Sequence, residues 1–325
     1  MDQALSTQPS INTLVIGGGG YIGSHLVPKL IASGRDVTVV GRSKTPRYSL
    51  PDKASYISGD FSQYELISSL VERNQEVVLL AYATVPNTSF EDPLADLLQN
   101  LPAAVQLFTL AAQREAKLLL VSSGGTVYGN ASRLPISENH STNPISPYGV
   151  TKLTLENYAY LYAAIHGLKF VCVRPANAYG PGQRPFTGQG FIATAMASAM
   201  KGLPVRIFGK RGTIRDYLYI TDLAEGLLTA FEKGELGQTY NLGSGIGLSN
   251  MDLLDAMKPI MSDDGCRIGV EHLPERSFDV KANVLDSTKL MNLTGWQPKI
   301  PIKQGLRLTK DWLSRELGPA NSNAG

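Results

Sequence analysis

Seven residues near the start of the chain, Gly17-Gly18-Gly19-Gly20-Tyr21-Ile22-Gly23, restrict its folding options more than any other segment. They follow the short β-type run Thr13-Leu14-Val15-Ile16. They open a stretch, Tyr21 to Ser33, in which Ile22, Leu26, Leu30 and Ile31 recur at helical spacing. A strand that turns through glycine straight into a helix leaves the N–H groups of the helix start facing outward, where an anion is welcome. Gly18, Gly20 and Gly23 fit G-x-G-x-x-G, while Gly17, Gly20 and Gly23 fit G-x-x-G-x-x-G. Either spacing permits a tight turn and close approach of a pyrophosphate, so a dinucleotide site is expected at Gly17, Gly20, Tyr21, Ile22 and Gly23.

The same rhythm continues downstream. Gly34 ends the first helix and Val37 to Val40 forms the next strand. Tyr56-Ile57 is a strand, Tyr64 to Glu72 a helix, Val77 to Leu80 a strand and Pro93 to Arg114 mainly helix. Leu118 to Val121 is a strand, Tyr148 to Ile165 a helix and Phe170 to Val173 a strand. Near-continuous apolar strands alternating with helices predict an α/β fold, a doubly wound parallel sheet covered on both faces, with ligands at the carboxyl ends of its strands. After Pro175 the pattern changes: Gly180-Pro181-Gly182-Gln183 precedes an apolar helix from Phe191 to Met200, and the last third mixes short elements. Residues 11–176 and 214–243 are expected to form the dinucleotide-binding domain. Residues 177–213 and 244–318 are expected to form a smaller C-terminal substrate-binding lobe, and the polar ends, 1–10 and 319–325, to fray.

With 325 residues and a net charge of +2, the chain is large enough for two lobes and too balanced to suggest nucleic acid as a partner. It lacks an apolar run long enough to span a membrane, and no signal peptide is read at Met1. Its two cysteines, Cys172 and Cys266, suggest no disulfide framework, which fits a reducing cytoplasm. No metal site is expected.

The reactive group announces itself at Ser146-Pro147-Tyr148-Gly149-Val150-Thr151-Lys152. Ser146 suits a helix cap and Pro147 a first turn. Tyr148 and Lys152, four apart, then share a helix face. A nearby ammonium lowers a phenol pKa, which makes Tyr148 a candidate general base for an alcohol proton. The second strand bears on the cofactor. An NAD-selective site usually has a carboxylate at its end. Here the strand ends Val40-Gly41-Arg42, so Arg42 stands where it can pair with a 2′-phosphate or lie on adenine. The cofactor is read as NAD or NADP. Asp60-Phe61, after the third strand, either contacts the adenine edge or forms a plain turn, and Ala81, after the fourth, completes the cofactor set.

Further motifs follow in order: Ser122-Ser123-Gly124-Gly125-Thr126-Val127-Tyr128-Gly129, Arg174-Pro175-Ala176-Asn177-Ala178-Tyr179-Gly180-Pro181, Arg215-Asp216-Tyr217-Leu218-Tyr219-Ile220-Thr221-Asp222, Tyr240-Asn241-Leu242-Gly243-Ser244-Gly245 and Leu293-Thr294-Gly295-Trp296-Gln297-Pro298. With the glycine loop and the Tyr148–Lys152 pair, they make the chain resemble the extended short-chain dehydrogenase/reductases from Val15 to about Trp312. Within these it resembles the UDP-hexose 4-epimerases, which have a Rossmann dinucleotide domain. The resemblance implies that Tyr148 is the base and that Lys152 holds the nicotinamide ribose and keeps the phenol acidic. It places Gly124 where a serine or threonine usually shares the substrate hydroxyl, leaving Ser123, then Thr126, as the flanking candidates. It assigns Asn177, Arg215 and Arg276 to the nucleotide diphosphate, Phe191 to the uracil or sugar region, and Asn283 to the position that limits bulk near C2 of the sugar. Arg215 could instead pair with Asp216 or Asp222, and Arg276 with Asp279.

The function this implies is nucleotide-sugar 4-epimerisation: C4 of a UDP-hexose is inverted through a 4-keto sugar, with a bound nicotinamide cofactor. The alternatives are an NADPH-dependent reductase of a keto-sugar or other carbonyl, a sugar 4,6-dehydratase, which the absence of a carboxylate in Gly124-Gly125-Thr126 disfavours, and a non-catalytic dinucleotide-binding module. Homodimerisation is expected by family resemblance, through the helices 93–114 and 148–165.

Overall fold

The computed structural model describes residues 10–276 and 279–318. The expectation of frayed ends lies, Ser10 apart, outside them. The chain opens with β1 (Ile11–Ile16), α1 (Tyr21–Ala32), β2 (Arg35–Gly41), β3 (Ser55–Ser58), α2 (Tyr64–Val71) and β4 (Glu76–Leu79). It continues through α3 (Pro93–Gln113), β5 (Lys117–Val121), α4 (Pro147–His166) and β6 (Phe170–Pro175). Next come β7 (Asn177–Tyr179), α5 (Phe191–Met200), β8 (Val205–Phe208), β9 (Ile214–Tyr219), α6 (Ile220–Lys233) and β10 (Gln238–Leu242). It closes with β11 (Gly247–Ser249), α7 (Asn250–Ser262), β12 (Val270–Leu273), β13 (Ala282–Asn283), α8 (Thr288–Thr294) and α9 (Ile302–Leu317).

Seven of these strands form one parallel sheet in the order β10-β6-β5-β4-β1-β2-β3. Strand alternation sends successive side chains to opposite faces. Leu14, Ile16, Leu118, Leu120, Phe170 and Cys172 pack into one core layer, and Val15, Leu119, Val171 and Val173 into the other. This is the doubly wound α/β sheet that the apolar runs predict, and Cys172 is a buried thiol within it. The order reverses between β1 and β4, so the glycine loop after β1 and the turn after β4 open onto the crevice where such sheets bind ligands.

A second layer joins β7, β9, β11 and β13, with β8 and β12 as a separate parallel pair. Its core is Ile192, Met196, Ile207, Leu253, Met257 and Leu313. The segment 214–243, expected to lie wholly in the dinucleotide-binding part, is divided. The hydrogen bonds of β9 go to β7, β11 and β13, and only α6 and β10 return to the large sheet.

Candidate active site

A cleft of about 690 Å³ lies along the carboxyl edge of the large sheet and runs under the second layer. At one end, Gly17 has φ +86°, and a Cβ there would stand 2.6 Å from the Ala81 nitrogen. A Cβ at Gly23 would meet the Gly18 oxygen at 2.2 Å. These two glycines permit the turn itself. Gly20 has a freer surround, with nothing nearer than the Gly17 oxygen at 3.3 Å. No side chain caps α1 and no acidic residue occupies its first turn. The loop therefore fits a pyrophosphate, received at the helix start and flanked by Tyr21 and Ile22, which line the cleft. Ala81 contributes backbone contact to Gly17, and its N–H donates to the Ile16 carbonyl at 2.9 Å.

Ser146 caps α4 by accepting from the Gly149 N–H at 3.1 Å, and Pro147 occupies the first turn. Tyr148 and Lys152 thus project from one face into the cleft. The expected electrostatics do not follow. Burial, and next the Asp96 carboxylate, push the Tyr148 phenol upward, with a hydrogen bond to Ser123 acting the other way. The Lys152 ammonium, 5% exposed, donates to the Val121 carbonyl at 3.0 Å and lies 4.1 Å from the centre of the Tyr82 ring. Burial pulls it down to about 8. Tyr82 in turn meets Tyr148 edge to face, with ring centres 4.8 Å apart. In this conformation the Lys152 ammonium is hydrogen-bonded to Val121 and lies closer to the Tyr82 ring than to that of Tyr148, whose centre is 5.8 Å away.

The segment after β5 explains the glycine at position 124. A Cβ there would strike Leu285 Cδ1 at 2.5 Å and the Arg174 carbonyl at 2.9 Å. Position 124 therefore faces the core, and no hydroxyl fits on it. Ser123 and Thr126 line the cleft instead, and the Thr126 hydroxyl has no partner among the described residues. A Cβ at Gly125 would come within 3.3 Å of Asn177 Oδ1 and 3.9 Å of Ser123 Oγ, so glycine here keeps the space between those two groups open.

Both ends of this segment are anchored below the cleft. Ser122 donates to Glu156, which sits one turn beyond Lys152 on α4. Glu156, 1% exposed, pairs with Arg174 through several hydrogen bonds, one of 2.5 Å. Arg174 donates to Tyr128 Oη at 2.8 Å, and Tyr128 donates to Asn241 Oδ1 at 2.7 Å. The carboxylate holds the guanidinium above its ordinary range despite burial. Ser122 and Tyr128 bracket Ser123–Thr126, so the network fixes these residues against Tyr148.

The far end of the cleft brings together Asn177 on β7, Phe191 at the start of α5, Arg215 on β9 and Arg276. Arg215 pairs with neither Asp216 nor Asp222. Its Nη1 donates to the Ile214 carbonyl at 2.8 Å. Asp216 is engaged by Ser244, Gly245 and Leu285, and Asp222 by Lys299 and Ile300. Burial, aided by the like charge of Arg276, lowers Arg215. Arg276 does pair with Asp279, at 2.8 Å, and stacks 3.9 Å from the centre of Phe208. Two guanidinium groups converge on a partly dry pocket, an arrangement suited to a diphosphate.

Asn283, Asp60, Phe61 and Arg42 do not line this cleft. Asn283 is 1% exposed and does not line the cleft; its amide donates to the Gly124 carbonyl at 2.9 Å. It supports the wall from behind. Asp60 accepts from Ser62 N at 2.8 Å and Ser62 Oγ at 2.6 Å, which is the turn alternative. Phe61 packs on the core beside Ile57 and Leu66. Arg42 is exposed at the end of β2.

Tyr82, Asp96 and Glu156 escaped the sequence reading. Asp96, fully buried, accepts from Thr84 and, at 3.4 Å, from Tyr82. The spacing of Tyr148, Lys152 and Glu156 at four-residue intervals carried a signal for Glu156. Nothing local marked Tyr82, in the segment after β4, or Asp96, which reaches the site by the packing of α3 on α4. Among the described residues no group of three or more potential metal ligands occurs, and no helix is long and apolar enough to cross a membrane.

Residues 13–243 match the NAD dependent epimerase/dehydratase family. The chain is 31% identical over 310 residues to a UDP-glucose 4-epimerase of Mycolicibacterium smegmatis, covering 93% of this chain and 98% of that one. Its structure resembles the UDP-glucose 4-epimerase of Thermotoga maritima with UDP-glucose, with a TM-score of 0.88, 33% identity, and coverage of 94% of this chain and 100% of the other. It also resembles the UDP-glucose 4-epimerase of Thermus thermophilus in complex with NAD, with a TM-score of 0.86, 33% identity and coverage of 93% and 99%. The match to the family spans well over half of the sequence and includes the glycine loop, Tyr148 and Lys152, and so this chain belongs to the NAD-dependent epimerase/dehydratase family.

Proposed function

We propose that the protein is a nucleotide-sugar 4-epimerase acting on a UDP-hexose. One observation carries the reading: Tyr148, Ser123 and Thr126 share a single cleft with the paired guanidinium groups of Arg215 and Arg276. The relatives whose names specify UDP-glucose and NAD support it. Arg215, Arg276 and Asn177 hold the diphosphate, and Phe191 borders the base or sugar. The glycine loop and Lys152 hold the dinucleotide, which supplies, when bound, the hydride acceptor and donor at C4′. Tyr148 takes the 4′-hydroxyl proton and returns it after the sugar has turned, while Ser123 and Thr126 share that hydroxyl. Burial raises the Tyr148 phenol, and the hydrogen bond to Ser123 works against that shift, so Ser123 favours the proton transfer.

The test is incubation of the purified protein with UDP-glucose and, separately, UDP-galactose and UDP-N-acetylglucosamine, with NAD or NADP in catalytic amounts, followed by NMR of the products. Equilibration of the C4′ epimers without net consumption of cofactor is expected. Tyr148→Phe is expected to slow it by about 10²- to 10⁴-fold. Stoichiometric use of a reduced cofactor would establish the reductase alternative instead.

We infer that the functional unit is a homodimer formed through α3 and α4. Leu94, Leu98, Val150, Leu161 and Ile165 on these helices are exposed, and an isolated stripe of this kind suits a second copy. Light scattering after gel filtration decides this, and a monomer at micromolar concentration would refute it.

A further inference from the structure

The dinucleotide site departs from its family at one place, the carboxyl end of β2. A site selective for an unphosphorylated ribose presents a carboxylate there, which accepts from the 2′-hydroxyl and repels a 2′-phosphate. Here β2 ends at Gly41, and a Cβ at that position would stand 2.8 Å from the Tyr56 phenol oxygen. The phenol donates to the Ser43 carbonyl at 2.8 Å, so it occupies the place of an acidic side chain and pins the start of the following loop. Tyr56 also lies beside Gly19, 3.4 Å from where a Cβ would be, which joins this corner to the glycine loop.

The nearby carboxylates are committed. Asp36 lies toward the opposite end of β2 and accepts from Ser10. Asp60 has one oxygen taken by the Ser62 N–H and hydroxyl, and these bonds, with the nearby Arg42 charge, hold its carboxyl below the ordinary range; no hydrogen bond joins it to Arg42 among the described residues. From Val37 to Pro51 the sequence has three basic residues, Arg42, Lys44 and Arg47, and no acidic one. All three are exposed, and among the described residues none of them forms an ion pair with a carboxylate.

We propose that this corner is a 2′-phosphate subsite, with Arg42 as its anchor, and that the chain takes NADP(H) in preference to NAD(H). This rests on the dinucleotide reading of the glycine loop and not on the identity of the sugar. A planar guanidinium grips phosphate through paired, charge-assisted hydrogen bonds, and Gly41 removes the opposing charge.

Binding alone tests it, without any sugar present. Calorimetric titration of cofactor-stripped protein is run with NADPH, NADH, 2′,5′-ADP and 5′-AMP. NADPH is expected to bind about ten- to hundredfold tighter than NADH, and 2′,5′-ADP tighter than 5′-AMP by a similar factor. Arg42→Ala, a change on an exposed side chain, is expected to remove most of both differences. Mass analysis of dinucleotide released from freshly purified wild-type protein is expected to show NADP species. Equal or tighter binding of NADH, release of NAD alone, or an unchanged NADPH/NADH ratio in Arg42→Ala would each overturn the proposal. Absence of UDP-hexose epimerisation would leave these titrations unaffected and would bear only on the proposed function.

Discussion

Gly124→Ser separates two accounts of the active-site hydroxyl. By motif position alone, serine at 124 restores a missing catalytic group and should raise turnover. By structure, it places a side chain 2.5 Å from Leu285 Cδ1, 3.1 Å from Leu285 Cδ2 and 2.9 Å from the Arg174 carbonyl, in a region where Leu285 has no exposure. Overpacking of this kind costs about 1–3 kcal/mol. With an unfolding entropy of roughly 2 cal/mol/K per residue over a chain of this length, the loss corresponds to a Tm decrease of about 1.5–4.5 °C. Turnover should fall or stay level. Leu285→Ala alone should cost about 2–5 kcal/mol through its cavity. The double variant should be about 1–2 kcal/mol more stable than the sum of the two changes predicts, because one fills the space the other leaves. Urea unfolding of all four proteins, with UDP-hexose turnover measured on each, provides the readout. A Gly124→Ser protein of unchanged stability and raised turnover would show that position 124 faces the substrate and would refute the argument.

Two further outcomes follow from the buried charges. Glu156→Gln should destabilise by about 3–5 kcal/mol, because it leaves the Arg174 guanidinium buried without its counter-charge; the thermal midpoint reports this, and turnover should drop with it as Ser122 and Tyr128 lose their common anchor. Lys152 has its folded-state pKa near 8, below its ordinary 10.5, so the unfolded chain binds more protons between those values. The stability of the cofactor-stripped protein should therefore gain a contribution as pH rises from about 8 to 10.5, and the difference between wild type and Lys152→Met should change over that window and level off below it; a constant difference across the window would be contrary to this sign.

What the sequence disclosed was whatever depends on local period or on residues with few conformational options. The glycine loop, the Ser146-Pro147 helix start and the apolar strands are of this kind, and the sheet follows from them. The position of β9 was not legible, because Ile214–Tyr219 reads as a strand that suits either sheet and only its pairing with β7, β11 and β13 decides. Burial was also hidden. Asn283 matches a substrate-facing position by motif, yet the packing of Leu285 and the Gly124 carbonyl draws it behind the wall. The effect of Lys152 on Tyr148 was inferred from helix spacing, which gives the shared face but not the rotamer. The Val121 carbonyl and the Tyr82 ring, contributed by two other strand ends, set that rotamer.

The cleft is graded from one end to the other, and the gradient bears on the chemistry. In the proposed function Arg215 and Arg276 grip the diphosphate, and Arg276 is braced by Asp279 and Phe208. Near Tyr148 the cleft carries the Ser123 and Thr126 side chains, and the buried Thr126 oxygen has no partner among the described residues. Gly125 adds no side chain between Ser123 and Asn177. Inversion at C4′ requires a sugar that presents first one face and then the other to a fixed hydride partner, so tight contacts around the ring would oppose it. Anchoring through the diphosphate and loose contact at the ring meet that requirement together. The rigidity needed to keep Tyr148 in place comes from beneath the cleft, where Glu156 and Arg174 tie α4 to both ends of the Ser123–Thr126 segment. An ion pair buried this deeply is seldom the most stabilising way to fill its space. Its place directly under the reacting groups is explained by the fixed geometry it gives them.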